Sequence, residues 1–540
     1  MTERSRKILT DLGLFILSVL LYVFSFPLGQ QNGITILPFF ALVPLLFWIR
    51  RIRMRWMLPA GMLYGALVYG LGCYWLYNFY PAAMLVAMAA ATLRFGPLFI
   101  ALKFTAQKRY GLLAAAVFWA ACDTISSIGF LAFPYLTLPY ALYTSGLGLF
   151  IASLGGMSLL SLCIALLNSL LFLAIRRWLD QAAKTSVNRF RLPRLTIVAA
   201  AVSLIVIIAF QVPPRASEST AQLIQPADAS QAIPEGMARV ALLQPSTPHP
   251  QKTVHDYYTA FLRQKNLSDQ LRNQTVDLVV WHETAVVPPI GYNLRFRDVE
   301  PDKYAVVRQV HDYLIQYPHP VVLGNGWSPD TEEVRTIREN VALLYQNGSQ
   351  DQKYTKMKLV PFSENFPFEN IFPKLSAWLE MKFDYFWHPG TEFTILNTGK
   401  VRFAAPICFE DSFGPHFIKY TGADFYVVLT QDAWAKSVAM QKQHKSMSIF
   451  RAAESGSIVL RVGNTGYTAA ILPGGKVAAE LTPMTEGILL VDVATGYDKL
   501  TVYEKIGKYF DPVLFILTGL FLLLAAIPAV YTLLDKKRRL

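Results

Sequence analysis

Eight stretches of near-continuous apolar residues punctuate the chain, near 8–26, 34–49, 57–77, 82–102, 111–131, 147–175, 195–211 and 512–534. A helix that crosses a bilayer needs about 20 mostly apolar residues, so each stretch is a predicted span. The signal is strongest at 147–175, 195–211 and 512–534. The second stretch is short and holds Pro38 and Pro44; the fourth and fifth contain Arg94 and Asp123. Ionisable groups inside spans are functional candidates by default. Arg94 and Asp123 either pair, or hold a lipid head group, or lie near an interface if the spans end a few residues earlier. The first run follows Arg4, Arg6 and Lys7 without a clear small-residue cleavage site, and it reads as an uncleaved span.

Between 212 and 511 the pattern changes. Residues 212–237 are rich in Pro, Ala, Ser and Gln without periodicity and read as a linker. From 238 short β-rich runs alternate with helical ones. "ARVALLQP", "VDLVVWHE", "HPVVLGNGW", "NVALLYQNG", "VRFAAPICFE", "DFYVVLTQD" and "SIVLRVGN" are predicted buried strands. "TVHDYYTAFLRQKNLSDQLRN", "DKYAVVRQVHDYLIQY" and "VAMQKQHKSMSIFRAAESG" are predicted helices. Strands alternating with helices indicate an α/β sandwich, and a domain of this size can bury its own core. The predicted organisation is a membrane domain over 1–211 with seven spans, a linker at 212–237, an α/β domain over 238–497, and a last span at 512–534.

Charge orders these pieces. Lys and Arg gather at Arg4/Arg6/Lys7, Arg50/Arg51/Arg53/Arg55, Lys103/Lys108/Arg109, Arg176 through Arg194, and Lys536 to Arg539. The intervening loops "PLGQQNG", "NFYP" and "LTLPYALYTSG" have neither. Basic loops stay cytoplasmic, so alternation puts both termini inside and 212–511 outside. The chain of 540 residues is 53% hydrophobic with net charge +13. Because the basic residues flank apolar runs, they fit membrane topology better than a phosphate-binding face, and nucleic acid is not an expected partner. No zinc-finger, Walker or dinucleotide motif is present.

One cysteine lies in the polar-rich region: Cys408, in "AAPICFED". It has no disulfide partner in its own domain, since Cys73, Cys122 and Cys163 fall in apolar runs. An ordinary buried cysteine is the plainer reading. Against it, the residue sits at a strand end, where α/β folds place their chemistry, and acidic groups follow at once. A nucleophilic thiol needs a base and an oxyanion stabiliser. The histidines of the region show no compelling pairing with it in sequence. Glu283, in "VVWHETAVV", ends an apolar strand run where a charge is expensive to bury; an exposed turn glutamate is the alternative. In "YTKMKLVPFSE", Lys356 and Lys358 share strand parity and Glu364 follows a Pro-containing turn, although strand-edge lysines are ordinarily solvated. Residues 366–388 carry Phe366, Phe368, Phe372, Trp378, Phe383, Tyr385, Phe386 and Trp387, and read either as an arm dipping into a membrane interface or as core.

In order, W-x-E, Y-x-K-x-x-L-V-P-F-x-E and I-C-x-E resemble the nitrilase (carbon–nitrogen hydrolase) superfamily, which implies an α-β-β-α sandwich with a Glu–Lys–Cys triad. The added spans make the chain similar to the apolipoprotein N-acyltransferase family, as do "GLGCYWLYN" (71–79), "AFPYL" (132–136) and "RVGNTGYTAAILPGG" (461–475). The resemblance implies Glu283 as general base, Lys356 as oxyanion-stabilising cation and Cys408 as nucleophile. Lys356, not Lys358, matches because of its eight-residue spacing to Glu364. It further implies substrate contacts at Glu364, Phe409, Glu410 and, in "QDAWAK", Trp434. His282, Ser363, Phe409 and Tyr135 depart from the residues common in the family, as does the "QDAWAK" segment; none is a triad member.

The implied reaction moves an acyl chain from the sn-1 position of a phospholipid to the α-amine of a diacylglyceryl-cysteine on an apolipoprotein, through a Cys408 thioester. No cofactor or metal is implied. The partners are phospholipid, diacylated apolipoprotein and the bilayer of a bacterial inner membrane, with the protein a monomer. Two other readings stay open: a membrane-tethered amidase or nitrilase acting on a soluble amide, and a non-catalytic lipid-binding receptor.

Overall fold

The computed structural model describes residues 2–182, 194–228, 230–328, 338–366, 368–383, 386–497 and 500–539. The chain divides into two compact units, Met1–Pro214 with Val502–Leu540, and Arg215–Thr501.

The first unit is helical. Each predicted span contains a helix: Glu3–Val23, Leu42–Arg51, Met57–Gly72, Pro81–Thr105, Gly111–Ile125, Gly146–Ala182, Arg194–Phe210 and Phe510–Arg539. Among the described residues, the helices at Pro81–Thr105, Gly146–Ala182 and Phe510–Ile527 are long and apolar enough to cross a membrane. The second stretch is the shortest of the eight. Its prolines confine it to a 3-10 turn, Leu37–Phe39, and a helix of 10 residues. Such a helix rises about 15 Å, half the hydrocarbon thickness. Asn168 stitches this broken segment to the long helix, accepting from the Leu42 N–H at 2.9 Å and donating to the Pro38 carbonyl at 2.9 Å. The long helix is itself broken where Gly156 turns to φ +68°.

Arg94 and Asp123 each have their own partner. Arg94 donates to the Tyr69 hydroxyl and lies over that ring, while Asp123 accepts from Ser161 at 2.6 Å. The two motif segments of this unit meet. Trp75 packs on Tyr135 with ring centres 5.2 Å apart, and Tyr69 donates to the Tyr135 carbonyl at 2.6 Å.

Among the described residues, the second unit holds thirteen strands in two sheets. They are β1 (Ile224–Pro226), β2 (Met237–Gln244), β3 (Leu278–Val280), β4 (Val321–Trp327), β5 (Glu339–Gln346), β6 (Ser349–Thr355), β7 (Ile395–Asn397), β8 (Arg402–Ala404), β9 (Phe425–Thr430), β10 (Val459–Gly463), β11 (Ala469–Ile471), β12 (Val477–Glu480) and β13 (Gly487–Ala494). One sheet has the order β1-β13-β2-β3-β4-β5-β6, the other β12-β11-β10-β9-β8-β7. Strands β2, β9 and β10 are buried along their whole length, as their mostly apolar text leads one to expect of strands covered on both faces; Arg239 in β2 and Arg461 in β10 are buried against Asp492 and Asp432. Helices Val254–Asp269 and Pro301–Gln316 cover the first sheet through Phe261, Leu267, Val307 and Val310, which join Val279 and Leu323 in one core. The first of these starts on a capping box between Thr253 and Asp256. Helix Val438–Ser455 covers the second sheet, capped by Ser437 and stopped by Gly456 at φ +65°. The result is the expected α-β-β-α sandwich.

Two expectations differ here. Part of the stretch read as linker, 212–237, is built into the sheet: β1 pairs antiparallel with β13 and Ile224 is buried. Sheet pairing outweighs the weak local pattern of a Pro- and Ser-rich segment. The stretch 366–388 lacks obvious periodicity in sequence yet contains the helix Pro373–Phe383. Phe366 and Trp387 are buried at its ends, whereas Ile371, Phe372, Leu375, Trp378 and Met381 are exposed. Tyr385 lies outside the described residues.

Candidate active site

Three chain segments end their regular structure at one place. The first leaves β3 and carries Glu283. It passes so close to β4 that a Cβ on Gly324 would lie 2.6 Å from the Glu283 Cα and from the Thr284 nitrogen. The Glu283 carboxylate is almost wholly buried and fully engaged. Its Oε1 accepts from Lys356 Nζ at 3.1 Å and from Asn340 Nδ2 at 2.9 Å, and its Oε2 accepts from the Gln431 N–H at 3.0 Å. His282, the neighbour, has Nδ1 2.6 Å from the Glu283 carbonyl oxygen. A carbonyl only accepts, so Nδ1 carries the proton. Burial lowers this imidazole to about 4, which keeps it neutral.

The second segment leaves β6 at Thr355. Lys356 is therefore past the strand, and the parity expected to join it to Lys358 does not operate. Lys356 is buried completely and donates also to Glu364 Oε1 at 2.8 Å. Burial alone would lower the ammonium; Glu283, Glu364 and Cys408 outweigh it and hold it above its ordinary value. Lys358 turns elsewhere, its Nζ lying 5.6 Å from the centre of the Phe413 ring. Glu364 also caps the turn by accepting from the Val360 N–H at 2.9 Å. Burial pushes its carboxyl up, against the pull of Lys356.

The third segment follows β8 and turns sharply, with Cys408 at φ +51° opening a 3-10 turn, Cys408–Ser412. A non-glycine residue in this region is uncommon and is held there by its surroundings. Glu410 supplies one hold. It is fully buried, and its carboxylate accepts from the N–H groups of Ile407 (2.7 Å), Met357 (2.7 Å) and Lys358 (3.1 Å) and from the Tyr354 hydroxyl (2.8 Å). Burial would raise its pKa; the hydrogen bonds and His416 lower it overall. Glu410 thus ties the cysteine turn to the lysine loop from beneath. Phe409 is buried edge-on against Phe413, with ring centres 5.1 Å apart. Trp434, in the short turn Ala433–Ala435, is partly exposed.

The sulfur of Cys408 lies in the fields of Glu283 and Lys356. Burial, reinforced by Glu283, pushes its thiol well above the ordinary range, and Lys356 only partly offsets that. Cys408 therefore rests as a thiol and could act as a nucleophile only with the help of a base. An acid–base carboxylate, a buried cation and a protonated thiol together suit acyl transfer through a covalent intermediate.

Sequence reasoning missed Asn340 and a group of charges behind the turn. Asp411, Asp432, His444 and Arg461 are all buried and bonded to one another. The signal was there in part: Asp411 lies three residues after the cysteine, and Asp432 lies in "QDAWAK". One atom each of Cys408, Asp432 and His444 lie within 4.8 Å of one another, and the Arg461 guanidinium already rests on two of these residues.

Residues 18–170 match the model of the apolipoprotein N-acyltransferase N-terminal domain, and residues 239–498 match that of carbon-nitrogen hydrolase. Among solved structures, an amidase from Nesterenkonia sp. aligns with TM-score 0.34 and 15% identity, covering 49% of this chain and 94% of that one. Apolipoprotein N-acyltransferase 1 of Treponema denticola is 29% identical over 527 residues, 93% of each chain. Apolipoprotein N-acyltransferase 1 of Treponema pallidum is 31% identical over 546 residues, 97% of this chain and 96% of the relative. Sharing that identity along nearly its whole length, the chain belongs to the apolipoprotein N-acyltransferase family.

Proposed function

We propose that the protein transfers the sn-1 acyl chain of a phospholipid to the α-amine of a diacylglyceryl-cysteine at the N-terminus of an apolipoprotein, with Glu283, Lys356 and Cys408 as the reacting groups. The observation that carries this reading is the 3.1 Å contact between Lys356 Nζ and Glu283 Oε1 beside a thiol held protonated by burial. Glu283 takes the thiol proton and the thiolate attacks the ester carbonyl. The oxyanion that forms is met by the Lys356 ammonium and by the Phe409 N–H. Collapse breaks the ester C–O bond, and the lysophospholipid oxygen leaves with the proton from Glu283. The lipoprotein amine then attacks the thioester and passes its proton to Glu283. Collapse releases the thiolate, which recovers that proton, and the amide product departs. Ping-pong kinetics follow. Glu364, hydrogen-bonded to the ammonium, fixes its aim. Phe409 and Trp434 border the acyl path, while Glu410 acts on the substrate site through the turn it holds.

The site works at the outer face of a bacterial inner membrane, with both termini cytoplasmic, eight spans in all, and a single copy sufficing. Both substrates are lipids that stay in the bilayer. The exposed apolar side chains of 368–381 support an arm seated in the lipid interface, where their burial offsets the cost of exposing them to water.

The test is to mix the purified full-length protein with phospholipid alone and look for an acyl adduct on Cys408 by mass spectrometry. A thioester that a diacylated lipopeptide discharges is the expected result, lost in Cys408→Ser. Absence of the adduct together with turnover of a soluble amide would establish the amidase reading instead.

A further inference from the structure

The reacting groups sit on separate loops, and the contacts described so far leave unexplained what holds the Cys408 turn against the 431–436 loop, whose Gln431 N–H binds Glu283. Helix Val438–Ser455 is sheltered along its length yet places a histidine inward. His444 is 1% exposed, with Nδ1 2.7 Å from Asp432 Oδ1 and Nε2 3.0 Å from Asp411 Oδ1. Two ionised carboxylates can only accept, so the ring donates from both nitrogens and is an imidazolium. From β10, Arg461 closes the figure: Nη1 donates to Asp411 Oδ2 at 2.6 Å and Nη2 to Asp432 Oδ2 at 2.8 Å. The same Nη2 lies 2.8 Å from His444 Nδ1, a like-charge contact that the flanking carboxylates offset. Two cations and two anions form a neutral ring with every member buried, the one condition under which such charges are tolerable. Ser448 and the Arg451 side chain add further bonds to Asp411, at its carboxylate and its carbonyl.

The ring joins two points that the chemistry needs in register. Asp411 is three residues past the nucleophile, and Asp432 follows the residue whose N–H holds the base.

We infer that His444 is a positioning residue: as an imidazolium it bridges Asp411 of the nucleophile turn to Asp432 of the 431–436 loop, and so sets Cys408 against Glu283. The inference rests on the acyl-enzyme reading above. Burial and Arg461 pull this imidazole down, but the two carboxylates prevail and raise it to about 9. The bridge is therefore intact at neutral pH and opens in the alkaline range as the ring loses a proton.

The experiment measures phospholipid-dependent thioester formation by the full-length enzyme in detergent, from pH 6 to 10. In His444→Gln an amide oxygen must face one carboxylate, and the ring gains net negative charge. The expected result is a loss of roughly 10–100-fold in acylation rate with little change in KM for phospholipid. Adding Asp432→Asn restores both neutrality and a complementary donor–acceptor pair, so H444Q/D432N recovers most of the loss. Wild type loses acylation around pH 9, and this limb is absent from the double variant. A wild-type rate in His444→Gln, or no recovery in the double variant, overturns the inference. If the single variant does not fold, the wild-type profile decides, and a flat rate through pH 10 overturns it. A wild-type enzyme that never forms the thioester would sink the acyl-enzyme reading itself, a distinct result.

Discussion

Lys356 donates to Glu283 with no part of the lysine open to solvent. Such a cation balances the charge of Glu283 and Glu364 at rest and, in the reaction proposed above, meets the oxyanion later. We expect Lys356→Met to lower thioester formation by about 10³-fold, the upper range for loss of one oxyanion donor. It also strands two carboxylates, so a stability loss of about 3–5 kcal/mol is expected in denaturant titration. Lys356→Arg should fold better but stay slow, since a guanidinium fork does not fit a space built around one ammonium.

Gly324 is a second handle on the same site. Its missing Cβ is what lets Glu283 approach β4. Gly324→Ala must push the base-bearing segment away, and a displacement of about 1 Å is enough to cost about 10²-fold in rate. KM for phospholipid should hardly move, because the group displaced is Glu283 and not one proposed to hold the lipid. Steady-state kinetics with a fluorescent phospholipid would separate the two constants.

The buried ring of charges gives stability a two-sided pH dependence. Asp432 is depressed to about 2 from 3.8: burial opposes this, but His444 and Arg461 prevail. A depressed carboxyl stabilises above its unfolded value, and that contribution is lost as pH falls from about 4 to 2. His444 is raised from 6.5 to about 9, so its contribution is complete below 6.5 and lost as pH rises through 9. Each interval is worth about 2–4 kcal/mol. Thermal unfolding of the wild type should show a plateau between pH 4 and 6.5 with decline on both sides. In the double variant the alkaline decline should flatten.

The arm at 368–381 makes a different kind of prediction. Ile371→Glu with Trp378→Glu puts charge on exposed apolar positions without touching the reacting groups. We expect use of vesicle phospholipid to fall about tenfold through KM, while a soluble short-chain thioester donor is used as before. Equal loss on both donors would place these residues in the folded core of the site instead.

Much of this architecture could be read from the chain. The long apolar runs announced helices because hydropathy is a local property, and the seven predicted strands carried continuous apolar text. Six strands escaped: β1, β6, β7 and β12 lie at sheet edges and owe their existence to pairing rather than pattern, and the apolar runs of β11 and β13 were passed over. Cys408 and Glu283 stood out in their surroundings, whereas Lys356 was picked out only by its spacing to Glu364 in the motif of the family that the chain resembles. His444 was not. Its partners lie 33 and 12 residues away, and a histidine on a helix gives no sign of which carboxylates will face it. Glu410 was legible as an acid but not as a brace, for its bonds reach mostly to backbone groups that sequence does not display.

The protonated state of Cys408 has a consequence beyond catalysis. Peroxides and small-molecule oxidants attack the ionised sulfur far faster than the neutral one. In the reaction proposed above, the Cys408 sulfur ionises only while Glu283 is accepting its proton, so it spends most of its life in the unreactive form. On that reading, the enclosure that makes the reaction depend on a base also lengthens the working lifetime of the sulfur.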